Sequence, residues 1–226
     1  MLGTLFNVFT VVVGSAIGLV IKNKLPARII QVVFQALGLF TMILGVSMTL
    51  KTNGQHLIMI FSLIIGSIIG EVFRLDENFN KLSEQLKAKL KSKSEKFSEG
   101  FITAFILFCI GPMAILGSIQ EGLGESSELL FTKSVMDGFS SIALAAALGI
   151  GVLFSAIPLF LFQGGITLSA SFLGTYLSPE IIAELTALGG VLLVGLGINI
   201  LEIKKIKILN MLPSLVVVVV MCLIFL

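Results

Sequence analysis

The chain is short of nearly everything that soluble chemistry uses. Charged residues fill 12% of its 226 positions, against about 25% in an ordinary soluble domain. It has one histidine, His56, and two cysteines, Cys109 and Cys222, each lying in an apolar run with no second Cys or His at metal-ligand spacing. No HExxH, GxSxG or nucleotide-binding glycine loop occurs, and no serine is placed beside a histidine. Together these absences argue against metal, nucleophile and nucleotide chemistry, so neither an enzyme nor a bound cofactor or metal is expected. The two cysteines read as small core or lipid-facing residues. Also lacking is a basic stretch ahead of the first apolar run, since Lys22, Lys24 and Arg28 follow residues 2–21. That order predicts a retained first segment with its N-terminus outside.

What the chain does have is apolar length. Hydrophobic residues make up 56% of it, with a mean hydropathy of +1.09. At roughly 20 residues per span, apolar segments fall at about 2–21, 29–50, 56–73, 100–119, 135–154, 157–176, 181–201 and 209–226. The expected fold is therefore all-α: a polytopic transmembrane helix bundle of about eight apolar segments, forming one domain over residues 1–226. Its partner is the lipid bilayer. The formal charge of +2 is spread over loops and forms no basic stripe with aromatics between, so nucleic acid is not an expected partner.

Charge placement gives the topology. Of the 15 Lys and Arg, 13 lie in three breaks: Lys22, Lys24 and Arg28; Arg74 through Lys96; and Lys204, Lys205 and Lys207. By the positive-inside rule these breaks face the cytoplasm. The opposite breaks hold only Lys51 and Lys133. An even number of crossings must then separate 74–96 from 204–207, so the stretch 135–176 crosses twice or forms a re-entrant pair around Gly149, Gly151 and Pro158. Seven spans is a further way of counting. Residues 74–97 place Leu75, Phe79, Leu82, Leu86 and Leu90 at spacings of four and three among six lysines. This spacing predicts a cytoplasmic amphipathic helix on the anionic leaflet, where each Lys contributes about 1 kcal/mol.

Residues 14–38 and 165–189 can be superposed without gaps; both end in Ala-Leu-Gly, and each has a proline near its hairpin tip, Pro26 and Pro179. In the expected topology the two copies run in opposite directions, the arrangement of inverted repeats in secondary transporters, and also of some duplicated channels and scaffolds. Gly14 and Gly18, and Gly66 and Gly70, form GxxxG faces suited to helix packing within the chain or to a homodimer.

A polar side chain inside a span is costly, and so is a functional candidate. Lys133 and Asp137, four residues apart, share a helical face at the expected outer boundary and can pair or act as an ion gate. Glu180, directly after Pro179, sits in a first turn and suits a cap, whereas Glu184 lies one turn deeper and is either a proton-accepting carboxylate or a hydrogen-bonded structural one. Gln163 precedes Gly164 and Gly165, a pair that allows either unwinding or close helix packing. Pro112 follows Gly111 and should kink its span, leading to Gln120 and Glu121 at the outer mouth.

The blocks 3–19, 35–48, 111–123 (GPMAILGSIQEGL), 133–156 (KSVMDGFSSIALAAALGIGVLFSA) and 183–201 cover most of the chain. In these blocks the sequence resembles the YqgA/YdfK-type family of bacterial inner-membrane proteins. The resemblance implies a multi-pass inner-membrane protein of a family whose function is undefined and for which transport is at best the suggested role; it carries no established site. The candidate substrate- or ion-binding residues are Asn7, Gln35, Pro112, Gln120, Lys133, Asp137, Gln163 and Glu184. The expected function is secondary transport of a small solute or ion around a midplane site between broken helices. An oligomeric channel and a non-transporting scaffold are the alternatives.

Overall fold

The computed structural model describes residues 1–22, 26–89, 95–109, 112–124, 126–173 and 178–225. Among them the regular structure is all helix, in the order α1 (Leu2–Lys22), α2 (Ala27–Thr49), α3 (His56–Val72), α4 (Leu75–Lys89), α5 (Phe97–Cys109), α6 (Pro112–Gly122), α7 (Glu128–Leu148), α8 (Gly151–Phe154), α9 (Ala156–Leu173), α10 (Pro179–Ile200), α11 (Ile208–Met211) and α12 (Ser214–Phe225). Five stretches of described residues are long and apolar enough to cross a membrane: Leu2–Ile21, Glu128–Leu148, Gly151–Ala170, Pro179–Ile200 and Ile208–Phe225. Counting each of the bent pairs α3 with α4, at 55°, and α5 with α6, at 74°, as one span gives up to seven. At 1.5 Å per residue, the 21 residues of α1 and of α7 each span about 32 Å, enough for a hydrocarbon layer of about 30 Å.

The expected segment at 135–154 is displaced. Helix α7 starts seven residues earlier, at Glu128, and stops at Gly149, whose φ of +87° ends it in a backbone conformation that suits glycine. Hydropathy alone put the start at 135, past Lys133; in the fold Lys133 and Asp137 are both buried and the helix runs through them. Of the basic stretch expected to be helical over 74–97, Leu75–Lys89 is helical, as α4. Leu75, Phe79 and Leu86 are half-buried there and Leu82 is exposed. Leu90, the last member of the expected stripe, lies outside the described residues, and α5 already begins at Phe97.

The chain divides into two compact units, residues 1–34 with 82–174, and residues 35–81 with 175–226. In the first, α1 and α7 run parallel. Gly3, Asn7, Thr10, Gly14 and Gly18 fall at spacings of four and three, so they share one face of α1. Along that face Gly3 meets Leu130, Gly14 meets Gly138 and Ser141, and Gly18 meets Ile142 and Ala145. The Thr10 hydroxyl donates across the seam to the Ser134 carbonyl at 2.8 Å. Helix α9 runs antiparallel to α1, pairing Thr4 with Thr167 and Asn7 with Gln163. It follows that α7 and α9 run in opposite directions, each long enough to cross.

In the second unit, α2 packs antiparallel on α10, with Gly38 beside Gly197 and Leu201 and Gly45 beside Gly190 and Val194. Ile58, Ser62, Gly66 and Gly70 form the buried stripe of α3. Gly66 lies on Ser214 and Gly70 on Asn210, so the chain from α11 into α12 runs antiparallel to α3. Both GxxxG faces are therefore occupied within the chain.

This packing separates the glycines experimentally. A Cβ at Gly70 would overlap the Asn210 backbone, whereas a Cβ at Gly165 meets nothing within 4 Å. We expect Gly70→Ala to lower stability by about 1–3 kcal/mol. Gly165→Ala should match or exceed the parent by up to about 1 kcal/mol through its better helix propensity. Thermal unfolding of both variants in detergent checks the contrast.

Candidate functional site

The candidate site lies in the first unit, where three apolar helices turn polar side chains toward one another. Asn7 comes from α1, Lys133 and Asp137 from α7, and Gln163 from α9. Asn7 and Gln163 are fully buried, and Lys133 and Asp137 are 6% and 8% exposed. Asp137 is the tenth residue of a 21-residue helix, which puts it halfway along a membrane-length element. Its i,i+4 spacing from Lys133 brings the ammonium onto Asp137 Oδ2 as a buried ion pair. The same oxygen accepts from Asn7 Nδ2 at 3.1 Å, and that nitrogen also donates to Gln163 Oε1 at 3.1 Å. Two atoms of the cluster are buried with no partner, Asn7 Oδ1 and Gln163 Nε2.

Helix α9 stays continuous through Gly164 and Gly165, so the unwinding expected after Gln163 does not occur. Tight helix packing does not account for the pair either: a Cβ at Gly164 would meet only Met1 Cε, at 3.7 Å, and one at Gly165 nothing within 4 Å. The i→i−4 hydrogen bonds persist because neither glycine lacks a donor, whereas the span expected at 100–119 is broken into α5 and α6. Pro112 starts α6, where its missing N–H costs the helix no bond. Gly111 lies outside the described residues.

Of the eight candidates, then, Asn7, Lys133, Asp137 and Gln163 come together. Gln120 is half-buried on α6, next to a residue of greater structural consequence. Glu121 accepts from the backbone N–H of Gly3, from Thr4 N at 3.2 Å and from the Thr4 hydroxyl at 2.8 Å. The Met1 ammonium lies 3.1 Å from Glu121 Oε1. Glu121 thus anchors the positive end of the α1 dipole.

The other two candidates belong to the second unit. Gln35 is exposed on α2. Glu184 is fully buried, and its carboxylate takes the Thr52 hydroxyl at 2.8 and 3.0 Å and the Asn53 N–H at 2.8 Å. Of its two expected roles, the geometry is that of a hydrogen-bonded structural carboxylate holding the turn between α2 and α3. Glu180 stands in the first turn of α10, which Ser178 caps through the Ile181 N–H.

Two residues of this unit escaped the sequence reading. Glu71 accepts from Asn210 Nδ2 at 2.6 Å and from Lys207 Nζ at 2.8 and 3.1 Å, while Asn210 Oδ1 accepts from Asp76 N at 2.6 Å. Hydrogen bonding to Glu71 holds the Lys207 ammonium above the ordinary lysine range. Each residue stands at the edge of an apolar run, where a polar side chain looks like an ordinary boundary. Their signal was spacing: Glu71 directly follows the Gly66/Gly70 face. Asn199, next to last in α10, brackets the loop before α11. It accepts from Ile206 N at 2.7 Å and donates to Ile206 O at 2.8 Å.

Among the described residues no three His, Cys, Asp or Glu side chains gather as they would around a metal ion. The cluster's chemistry is hydrogen bonding with a neutralised ion pair.

Comparison with known proteins gives the family. The family model for "Protein of unknown function (DUF554)" matches residues 2–223. The chain belongs to the DUF554 family. This DUF554 protein is similar to the "Uncharacterized membrane protein YdfK" of Bacillus subtilis (strain 168), at 36% identity over 96% of this chain and 93% of the relative. It is also similar to the "Uncharacterized protein YqgA" of Escherichia coli (strain K12), at 28% identity over 95% and 93%. No solved structure matches it. Helical architecture and family together make it an α-helical membrane protein.

The ion pair gives a direct test. Removing one partner, as in Lys133→Met or Asp137→Leu, leaves a buried unpaired charge and should cost about 3–5 kcal/mol. The double variant removes both charges and should recover most of that loss. A double-mutant cycle of unfolding midpoints measures the coupling, and strictly additive losses would mean that the two side chains do not interact.

Proposed function

We propose that this DUF554 protein is a secondary transporter of a small solute in the bacterial inner membrane, with the solute site at the Asn7, Lys133, Asp137 and Gln163 cluster. The observation that carries the reading is a polar, partly unpartnered cluster halfway along membrane-length apolar helices. Polar groups at that depth are costly, and they persist in transporters because they line a solute or ion path. The antiparallel courses of α1 with α9 and of α2 with α10 are what an inverted repeat of 14–38 and 165–189 requires.

The proposed topology places the N-terminus outside and the basic breaks in the cytoplasm, with α4 along the inner leaflet. Hydrogen-bonded partners support it, because each pair falls on a common side: Glu121 with Gly3 and Thr4, Glu184 with Thr52 and Asn53, Glu71 with Lys207. The proposed site differs from the expected one, being built between unbroken helices. An oligomeric channel would need subunit contacts other than the two GxxxG faces, which the chain itself fills.

Stopped-flow light scattering on proteoliposomes, challenged with osmotic gradients of small amides, polyols, amino acids and organic acids, tests the reading. For at least one solute, swelling should exceed that of empty liposomes. Gln163→Leu and Asn7→Leu should slow that swelling by about tenfold or more, and Gly165→Ala should leave it intact. A faster flux that both cluster variants leave unchanged would move the site elsewhere.

A further inference from the structure

The unmet hydrogen bonds in the cluster identify what it can hold. Both N–H groups of Asn7 are spent, one on Asp137 Oδ2 and one on Gln163 Oε1. The carboxylate fixes the orientation of the first amide, since turning Asn7 over would set its carbonyl oxygen against Asp137. Asn7 in turn fixes the second, because its N–H requires the Gln163 oxygen. Two fully buried atoms of the cluster then stay without partners, the acceptor Asn7 Oδ1 and the donor group Gln163 Nε2. A buried polar atom left unpaired costs about 1–3 kcal/mol, and this pair is complementary in sign.

The charge state narrows the occupant further. Lys133 and Asp137 neutralise each other, so an ion entering the cluster would bring an uncompensated charge to mid-membrane depth. An anion that captured the Lys133 ammonium would strip Asp137 of its partner. A cation drawn to Asp137 would have to displace Lys133. Either exchange leaves a bare buried charge, which is the costlier arrangement. Beside Gln163, the buried Gly164 has only Met1 Cε within reach of a Cβ, at 3.7 Å, so this turn of α9 is less crowded than the glycine seams that join α1 to α7.

We propose that the cluster binds a small uncharged carboxamide, whose N–H donates to Asn7 Oδ1 and whose carbonyl accepts from Gln163 Nε2. A carboxamide presents donor and acceptor on one rigid edge, matching two orphaned atoms carried by two different side chains. An ester or ketone offers only the acceptor, and so leaves Asn7 Oδ1 unmet. The inference rests on the transport reading and specifies the substrate class of the same site.

The test is equilibrium binding of radiolabelled acetamide to the full-length protein in detergent, with competition by urea, propionamide, acetone, acetate and methylammonium. Saturable binding displaced by urea and propionamide but not by acetone, acetate or methylammonium is the expected result. Gln163→Leu and Asn7→Leu should weaken it by about tenfold or more, while Gly165→Ala should not. Competition needs no variant, so the test stands even where one fails to fold. Displacement by acetate or methylammonium would overturn the carboxamide assignment while leaving the site in place. Absence of acetamide binding, together with solute flux that still depends on Gln163, would overturn the assignment alone. Absence of both acetamide binding and any Gln163-dependent flux would overturn the transport reading with it.

Discussion

The close approach of α1 to α7 is the constraint on which the first unit depends. Bilayer tails are as apolar as leucine, so helices gain little from burying apolar surface against each other and must associate by van der Waals contact and hydrogen bonds. Gly14 and Gly18 let the α1 backbone approach the carbonyls of Gly138 and Ile142. Once the two backbones are that near, the residues one and two turns up the same face, Thr10 and Asn7, come within hydrogen-bonding reach of Ser134 and Asp137. The polar cluster follows from the glycine seam, because a wider separation would leave Asn7 short of the Lys133 and Asp137 pair.

Carboxylates perform a second structural task at the ends of the helices. Outside an aqueous medium the first N–H groups of a helix and the N–H groups of a turn still need acceptors. Glu121 serves the first turn of α1, Glu184 serves the turn after α2, and Glu71 holds Asn210 and Lys207 at the entry to α11. Each comes from a helix remote in sequence from the group it serves. These residues tie segments together at their ends, whereas the cluster of Asn7, Lys133, Asp137 and Gln163 lies midway and leaves hydrogen-bonding capacity unspent. That difference separates a structural carboxylate from a candidate binding site more sharply than polarity does.

Much of the fold was legible from hydropathy and charge. The helices and the breaks between them, α4 included, follow from the lengths of apolar runs and the placement of lysines. Segment boundaries failed where a polar residue was buried by a partner: Lys133 and Asp137 looked like a helix start because hydropathy assigns each residue to water or lipid, with no third place inside a protein core. The glycine pair after Gln163 misled for a related reason. Low helix propensity suggested unwinding, but the backbone hydrogen bonds of a helix in an apolar setting have no water to exchange with, so α9 remains intact.

Four of the site residues could be named individually from the sequence, since a polar side chain in an apolar run stands out wherever it lies. The i,i+4 spacing already paired Lys133 with Asp137, but that Asn7 and Gln163 join them, while Gln35 is exposed and Glu184 holds a turn, could not be read in the same way. The sequence by itself determined the class of the protein, an all-helical membrane bundle, because span length and charge placement are local properties that the bilayer reads directly. The tertiary structure alone decided which polar groups find partners and which stay unmet. Beyond the local Lys133–Asp137 pair, hydrogen-bond satisfaction in the cluster depends on contacts across more than a hundred residues of chain, and no local pattern encodes them.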